Sequence, residues 1–200
     1  PLSAPVDSEP TETDATDGLV GGDGYTVYGS IADLPMPSTA DESSSLIITG
    51  DVTTAAELGN HDRPDPATAT AEELERSWLR LSGAPIADEP PQIPTPLILD
   101  FARDGWIFET SDLLSVVAGT LADVTAFAEF TAPEHHFTTI AGDFDDSTLP
   151  ATLPEVADGV VTLGDGDDLE SDGTDRTALD QFGRPVRLAQ RDGVIGFGLR

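Results

Sequence analysis

The sequence predicts a β-rich α+β domain of antiparallel hairpins, with one or two short helices and extended acidic or proline-rich arms. Three observations carry that expectation. Two Arg-Asp-Gly turns, at residues 103–105 and 191–193, each sit between short apolar runs of strand-like composition. A helical period with both a start and a stop signal is clearest over residues 70–82. Stretches rich in acid, Pro, Ser, Thr and Gly separate the apolar runs. Two hundred residues are enough for one domain with a real core.

Residues 1–24 hold six acids (Asp7, Glu9, Glu12, Asp14, Asp17 and Asp23) and no Arg. Such a segment buries too little apolar surface to repay its ordering entropy. It is expected to order only against a partner, and a neighbouring subunit is the simplest one. Pro1 as first residue fits removal of an initiator Met or of a longer leader. From residue 25 to 200 a single β-rich domain is expected. Residues 25–31 alternate and read as a strand, followed by a Pro/Ser loop over 32–45. Residues 46–49 form a second short strand ending at Gly50, and 51–58 one helical turn before Gly59.

Thr70 and Glu73 fit a capping box, in which hydroxyl and carboxylate satisfy exposed backbone N–H groups reciprocally. Leu74, Trp78 and Leu81 then form an apolar stripe, Glu72 and Arg76 lie four apart, and Gly83 is a good stop. The stripe reads as core or interface packing, which makes Trp78 a candidate partner contact. Pro90, Pro91, Pro94 and Pro96 make 84–96 an extended arm. Residues 97–101 and 106–110 flank Asp104-Gly105 as a hairpin. Residues 112–120 fit a helix capped by Ser111 or Asp112 but stay ambiguous. Residues 123–131 read as a strand, with 137–140 as partner across 132–136. Residues 143–175 carry eleven acids and no Arg, a solvated loop region holding one strand at 160–163. An Arg-bearing hairpin within 184–200 closes the chain, with strands 186–190 and 194–197.

The charge balance is extreme. There are 38 acids against nine basic residues, all of them Arg, for a net charge of −29. Lys and Cys are absent. In dilute buffer these carboxylates repel across a Debye length of ~8–10 Å, which falls to ~3 Å in molar salt. The composition resembles proteins of haloarchaea and their viruses, which work in concentrated salt. That resemblance implies a solvent and a host, not a fold. An acidic protein of a GC-rich mesophile or its phage is the competing reading. Free nucleic acid as a general ligand is excluded, because phosphate binding needs a cationic face. Thiol chemistry, disulfides and Cys-ligated metals are excluded outright. No apolar run approaches the ~18–20 residues of a membrane helix, and no secretory apolar region follows Pro1.

Few constellations suggest chemistry. Glu134, His135, His136 and Asp143 form the one region to inspect for an enzyme, and His61 beside Asp62 adds metal-compatible donors. His135 and His136 are candidate metal ligands from a turn. From a regular strand they would point to opposite faces. Asp168, Glu170 and Asp172 before Gly173 echo the first half of a calcium loop, but Leu179 stands where the bidentate Glu belongs. No resident cofactor is expected, only weakly held Ca²⁺, Mg²⁺, Na⁺ or K⁺.

The distribution of Arg is more informative. Residues 1–175 carry 36 acids and four Arg, whereas 176–200 carry five Arg and two acids. Arg184, Arg187, Arg191 and Arg200 are therefore candidate partner-binding residues, since Arg forks onto carboxylates even where salt screens long-range attraction. A hairpin with a free edge would also add strands to another sheet. The expectation is a non-enzymatic structural protein that binds copies of itself and other structural proteins. A head–tail connector, tail or capsid accessory protein of a tailed haloarchaeal virus, assembled in the cytoplasm of a high-salt host, fits this pattern. A cation- or protein-binding module of a halophilic cellular complex is the alternative, and a His/carboxylate metal enzyme comes third.

Overall fold

A computed structural model describes residues 19, 21–32, 34, 45–65, 67–81, 123–132, 135–145, 148–163 and 185–199. Strands β1 (Leu46–Asp51), β2 (Val124–Ala132), β3 (His135–Gly142), β4 (Glu155–Ala157), β5 (Val160–Leu163), β6 (Val186–Arg191) and β7 (Val194–Leu199) form one sheet. Its order is β1-β2-β3-β7-β6-β5-β4, and every neighbouring pair is antiparallel. A 3-10 turn at Gly22–Gly24 and helices α1 (Val27–Ala32), α2 (Val52–Leu58) and α3 (Ala71–Leu81) complete the described elements. The β-rich antiparallel fold class read from the sequence is thus the observed one.

β2 explains the layering. Its alternation sends Phe127 and Glu129 to one face and Ala126, Ala128, Phe130 and Ala132 to the other. A register shift between Val124 and Ala126 turns Val124 onto the Phe127 face. That face gathers Phe127, Ile140, Ile195, Phe197 and Leu188, closed by Val52 and Ala56 of α2 and by Phe144. The opposite face packs Ala126, Ala128 and Phe130 under Leu19, Leu34, Tyr25 and Ile31. Phe127 and Phe130 are almost fully buried, each worth roughly 2–3 kcal/mol of apolar burial.

Two glycine contacts are required by this packing. Gly50 lies opposite Phe127, and a Cβ there would come within 2.6 Å of the Phe127 ring. On the other face the Phe137 ring lies over β7, where a Cβ at Gly198 would sit 3.0 Å away and one at Gly196 3.2 Å away.

Several expectations need correction. Residues 25–31 contribute to a helix, not a strand. The Thr26 hydroxyl accepts from Gly29 N–H at 2.9 Å, which starts α1 locally. The helix then turns Ser30 and Ile31 inward and leaves Val27 and Tyr28 exposed, so the strand-like alternation lost to tertiary contact. The single turn expected over 51–58 is the longer helix α2. Asp51 caps it by accepting from Thr54 N–H at 2.9 Å. β3 starts at His135, earlier than expected, so only residues 133 and 134 separate it from β2. The C-terminal hairpin turns at Asp192-Gly193, with φ of 49° and 77°, as an Asp-Gly turn of the I′ kind demands. It has no free edge, however. β7 pairs with β3 and β6 pairs with β5, so the hairpin is interior and adds no strand to another sheet. Among the described residues the outer strands are β1 and β4.

Within the acidic N-terminal stretch, Leu19 is buried and Gly22 N–H donates to the Asp51 carboxylate at 3.1 and 3.2 Å. These residues rest on the chain's own sheet layer. Residues 1–18, the arm at 84–96, the hairpin at 97–110, the ambiguous 112–120 and the acidic run at 164–175 lie outside the described residues.

The α3 capping box is present. Thr70 N–H donates to Glu73 Oε2 at 2.8 Å, and Glu73 N–H donates to the Thr70 hydroxyl at 3.3 Å. Glu72 and Arg76 meet at 3.5 Å. The bond from the Thr70 backbone, then that from its hydroxyl, holds the Glu73 carboxyl below its ordinary range. A depressed folded-state value contributes stability that is present above the unfolded value and is lost as pH falls through the folded one. Local stability of α3, read by hydrogen exchange, should therefore drop as pH falls below the ordinary glutamate range, and Glu73→Gln should abolish that dependence. Gly50→Ala should cost about 1–3 kcal/mol in urea unfolding by overpacking Phe127. Combined with Phe127→Leu, its cost should be less than additive.

Candidate functional site

The described residues cover the second face of the sheet unevenly. α1 and Leu34 lie over β1 and β2, and between them and β6 runs a groove of about 380 Å³. Its floor is the row Thr139, Gly196 and Ala189, aligned across β3, β7 and β6 by register. Ser30 and Leu34 form the wall, and Arg191 stands at the end of the neighbouring row beside Val194. The floor is low because Gly196 and Ala189 present little or no side chain, while Phe137 fills the space above Gly196.

Hydroxyls hold the wall in place. Thr49 Oγ1 donates to the Phe127 carbonyl at 2.9 Å and lies 2.7 Å from both Tyr25 Oη and Ser30 Oγ. Ser30 Oγ also reaches the Val27 carbonyl at 2.9 Å. Three hydroxyl protons serve these four contacts, so one contact at a time goes without a proton. α1 is thus tied to the sheet through Thr49, a half-buried residue whose change to Val would remove the hydroxyl.

The two arginines of the C-terminal hairpin that are described both project on the groove side. Arg187 lies at the far end of the row Phe137–Gly198 and donates to the Thr162 hydroxyl. Arg191 is 85% exposed and meets only its neighbour Asp192 at 3.1 Å among the ion pairs described for it, a contact of small energy. Arg184 and Arg200 lie outside the described residues, as do Asp168, Glu170 and Asp172. Trp78 falls in α3, on the helix the stripe predicted.

A different polar group interrupts the first face. Glu129 opposes Thr138, and Thr131 opposes His136, on β2 and β3. Glu129 Oε1 accepts from the Thr131 hydroxyl at 3.2 Å and lies 3.6 Å from His136 Nε2. Thr138 Oγ1 lies 3.4 Å from the same nitrogen. A nucleophile–imidazole–carboxylate relay needs its outer partners on different ring nitrogens, so that one proton leaves as the other is held. Here hydroxyl and carboxylate converge on Nε2, and the geometry does not form such a relay. His135 takes the opposite face, across from Ala132, as the strand period requires. Among the described residues no three His, Asp or Glu side chains come together as a metal cluster, His61 included.

Other polar residues serve the fold. The half-buried Arg63 donates to the Val124 carbonyl at 2.6 Å, and desolvation lowers its pKa against the opposing pull of Asp123. Gln190 bridges β6 to the loop after β3 through the Asp145 carbonyl and Leu149 N–H.

Comparison with known proteins finds no family model, no curated protein and no solved structure that matches this chain. Geometry therefore carries the functional reading. Phe137, Gly196 and Glu129 carry the two sites and were not singled out in the sequence. The signal for Glu129 was present as a lone acid inside an otherwise apolar strand. The signal for the groove, small residues aligned on three strands, exists only once register is known.

Thr49→Val should release α1. Hydrogen exchange at residues 27–32 should accelerate, with about 1–3 kcal/mol lost from the unsatisfied partners left behind.

Proposed function

We propose that this chain is an oligomeric structural protein whose groove between α1 and β6 receives an acidic segment of a neighbouring copy. The observation that carries this reading is Arg191, exposed at the mouth of an apolar groove, on a chain whose net charge is −29. Two copies of so acidic a chain repel over most approaches. The Arg-bearing face is the place where a carboxylate gains a charge-assisted hydrogen bond, and that short-range geometry survives in brine. Residues 1–18, which precede the groove-lining Leu19, carry five acids and no basic residue. Leu2, Val6 and three prolines among them supply apolar groups for such a groove. A segment of that length can span at most about 60 Å, enough to reach a second molecule.

The setting we propose is a virion of a tailed haloarchaeal virus, as a connector, tail or capsid accessory protein. The acid-rich, Lys-free composition supports a high-salt host, and a self-interlocking chain suits a repeating assembly. A binding module of a halophilic cellular complex would use the same groove for another acidic protein. It would remain a monomer when pure.

Light scattering in about 2–3 M salt, where long-range repulsion is screened, tests the reading. The wild-type chain should be a multimer. Ala189→Leu, which fills the floor, and Arg191→Glu, which reverses the charge at the mouth, should each shift it towards monomer without lowering its melting temperature. A monomeric wild type, or variants that assemble unchanged, would defeat the proposal.

A further inference from the structure

We infer that Glu129 and His136 form a proton-operated latch across β2 and β3, closed by an ion pair when the His136 ring is protonated and released when the ring is neutral. The latch lies on the sheet face opposite the groove and stands independently of the assembly reading.

The Glu129 side chain is only 8% exposed, and its Oε2 atom is buried without a hydrogen-bond partner. Oε1 accepts a neutral bond from the Thr131 hydroxyl at 3.2 Å. A buried carboxylate matched so sparsely is costly unless a counter-charge stands beside it. Among the described ion pairs Glu129 meets only His136, whose Nε2 lies 3.6 Å from Oε1.

The surroundings supply no other charge in register. Ile48 of β1 and Thr138 of β3 lie on either side of Glu129, while Thr131 and Leu199 lie on either side of His136. β7 carries no titratable residue. On the other elements packed against β2 and β3, Asp51 ends β1 and caps α2, Glu57 of α2 is exposed, and Tyr28 of α1 is exposed. His135 takes the opposite face. α3, which carries Glu72, Glu73, Glu75, Arg76 and Arg80, packs against α2.

The ring answers differently in its two states. Neutral and bare at Nε2, it accepts from the Thr138 hydroxyl 3.4 Å away and offers Glu129 no proton. Protonated, Nε2 is a donor, and Glu129 gains a donor and a counter-charge together. Histidine is the side chain that changes charge between ~pH 5 and 8, and the His136 side chain is 25% exposed, so solvent protons reach it. A cation that gains a partner on folding contributes stability that is present at acid pH and is lost as pH rises. The pair stands beside the connection at residues 133 and 134, so its release loosens that end of β2 and β3.

Urea unfolding of the full chain in about 1 M salt, where surface repulsion is screened, tests the latch. Wild type, Glu129→Gln, His136→Gln and the double variant are compared at about pH 5.5 and about pH 8, at either end of the histidine range. The unfolding constants should show a coupling between the two residues of about three- to tenfold at the lower pH and of less than about twofold at the higher. Contributions from His61 and His135 are common to all four chains and cancel from the cycle. Equal coupling at both pH values identifies a fixed polar contact and overturns the latch, as does a lack of coupling at the lower pH. Should a variant fail to fold, hydrogen exchange of the wild type, corrected for its intrinsic pH dependence, decides. Protection at residues 129–132 and 135–138, relative to that at residues 187–190 of β6, should fall between about pH 5.5 and about pH 8. An unchanged ratio would overturn the latch as well.

Discussion

Everything in this fold depends on β2 being dry on both sides. A strand that packs Phe127 against α2 and Phe130 beneath Leu34 cannot slip by one residue, because each face would then present the other's side chains. The bulge at Val124 and Ala126 adds one more apolar residue to the α2 face without disturbing that order. From this strand the sheet extends both ways, through β1 on one side and through β3 and the C-terminal hairpin on the other. α1 and α2 settle on opposite faces of the β1–β2 half. Among the described residues, the half built from β6 and β5 receives less cover on the α1 side, and that imbalance bounds the groove.

The groove and the polar cluster arise from opposite uses of side-chain size. On the groove side, Gly196, Gly198 and Ala189 lower the surface while Phe137 lies over the glycines. The aromatic ring replaces the packing the glycines lack, and the glycines give the ring its seat. On the α2 side, large apolar residues fill the space except where Glu129 and His136 meet. An acid at that position weakens the core unless it is matched. It is the one charged residue of β2, in a strand otherwise of Val, Thr, Ala and Phe.

Electrostatics act differently at the two places. At the groove mouth Arg191 is in water, where salt screens its attraction to any carboxylate beyond hydrogen-bond range. Its value there lies in short-range hydrogen-bond geometry. At Glu129 the carboxylate is largely away from water, 3.6 Å from His136 Nε2. Among the described acids Glu129 alone is buried.

Patterns confined to neighbours along the chain were legible before the fold was known. The Thr70/Glu73 box, the Asp192-Gly193 turn and the strands at 46–49, 123–131 and 160–163 follow from periods and turn chemistry. The helix at Val27–Ala32 did not, because its alternation is equally strand-like and Thr49, far along the chain, decided which side chains turned inward. The interior position of the Arg hairpin did not either, since no local signal says which strands will flank it. Local sequence sets the repeat and the bends of a segment, because those depend on sterics within a few residues. The meeting of Glu129 with His136, and of Gly196 with Phe137 and Ala189, was decided only when strands distant in sequence took one register, because pairing across a sheet is a property of the whole set of strands.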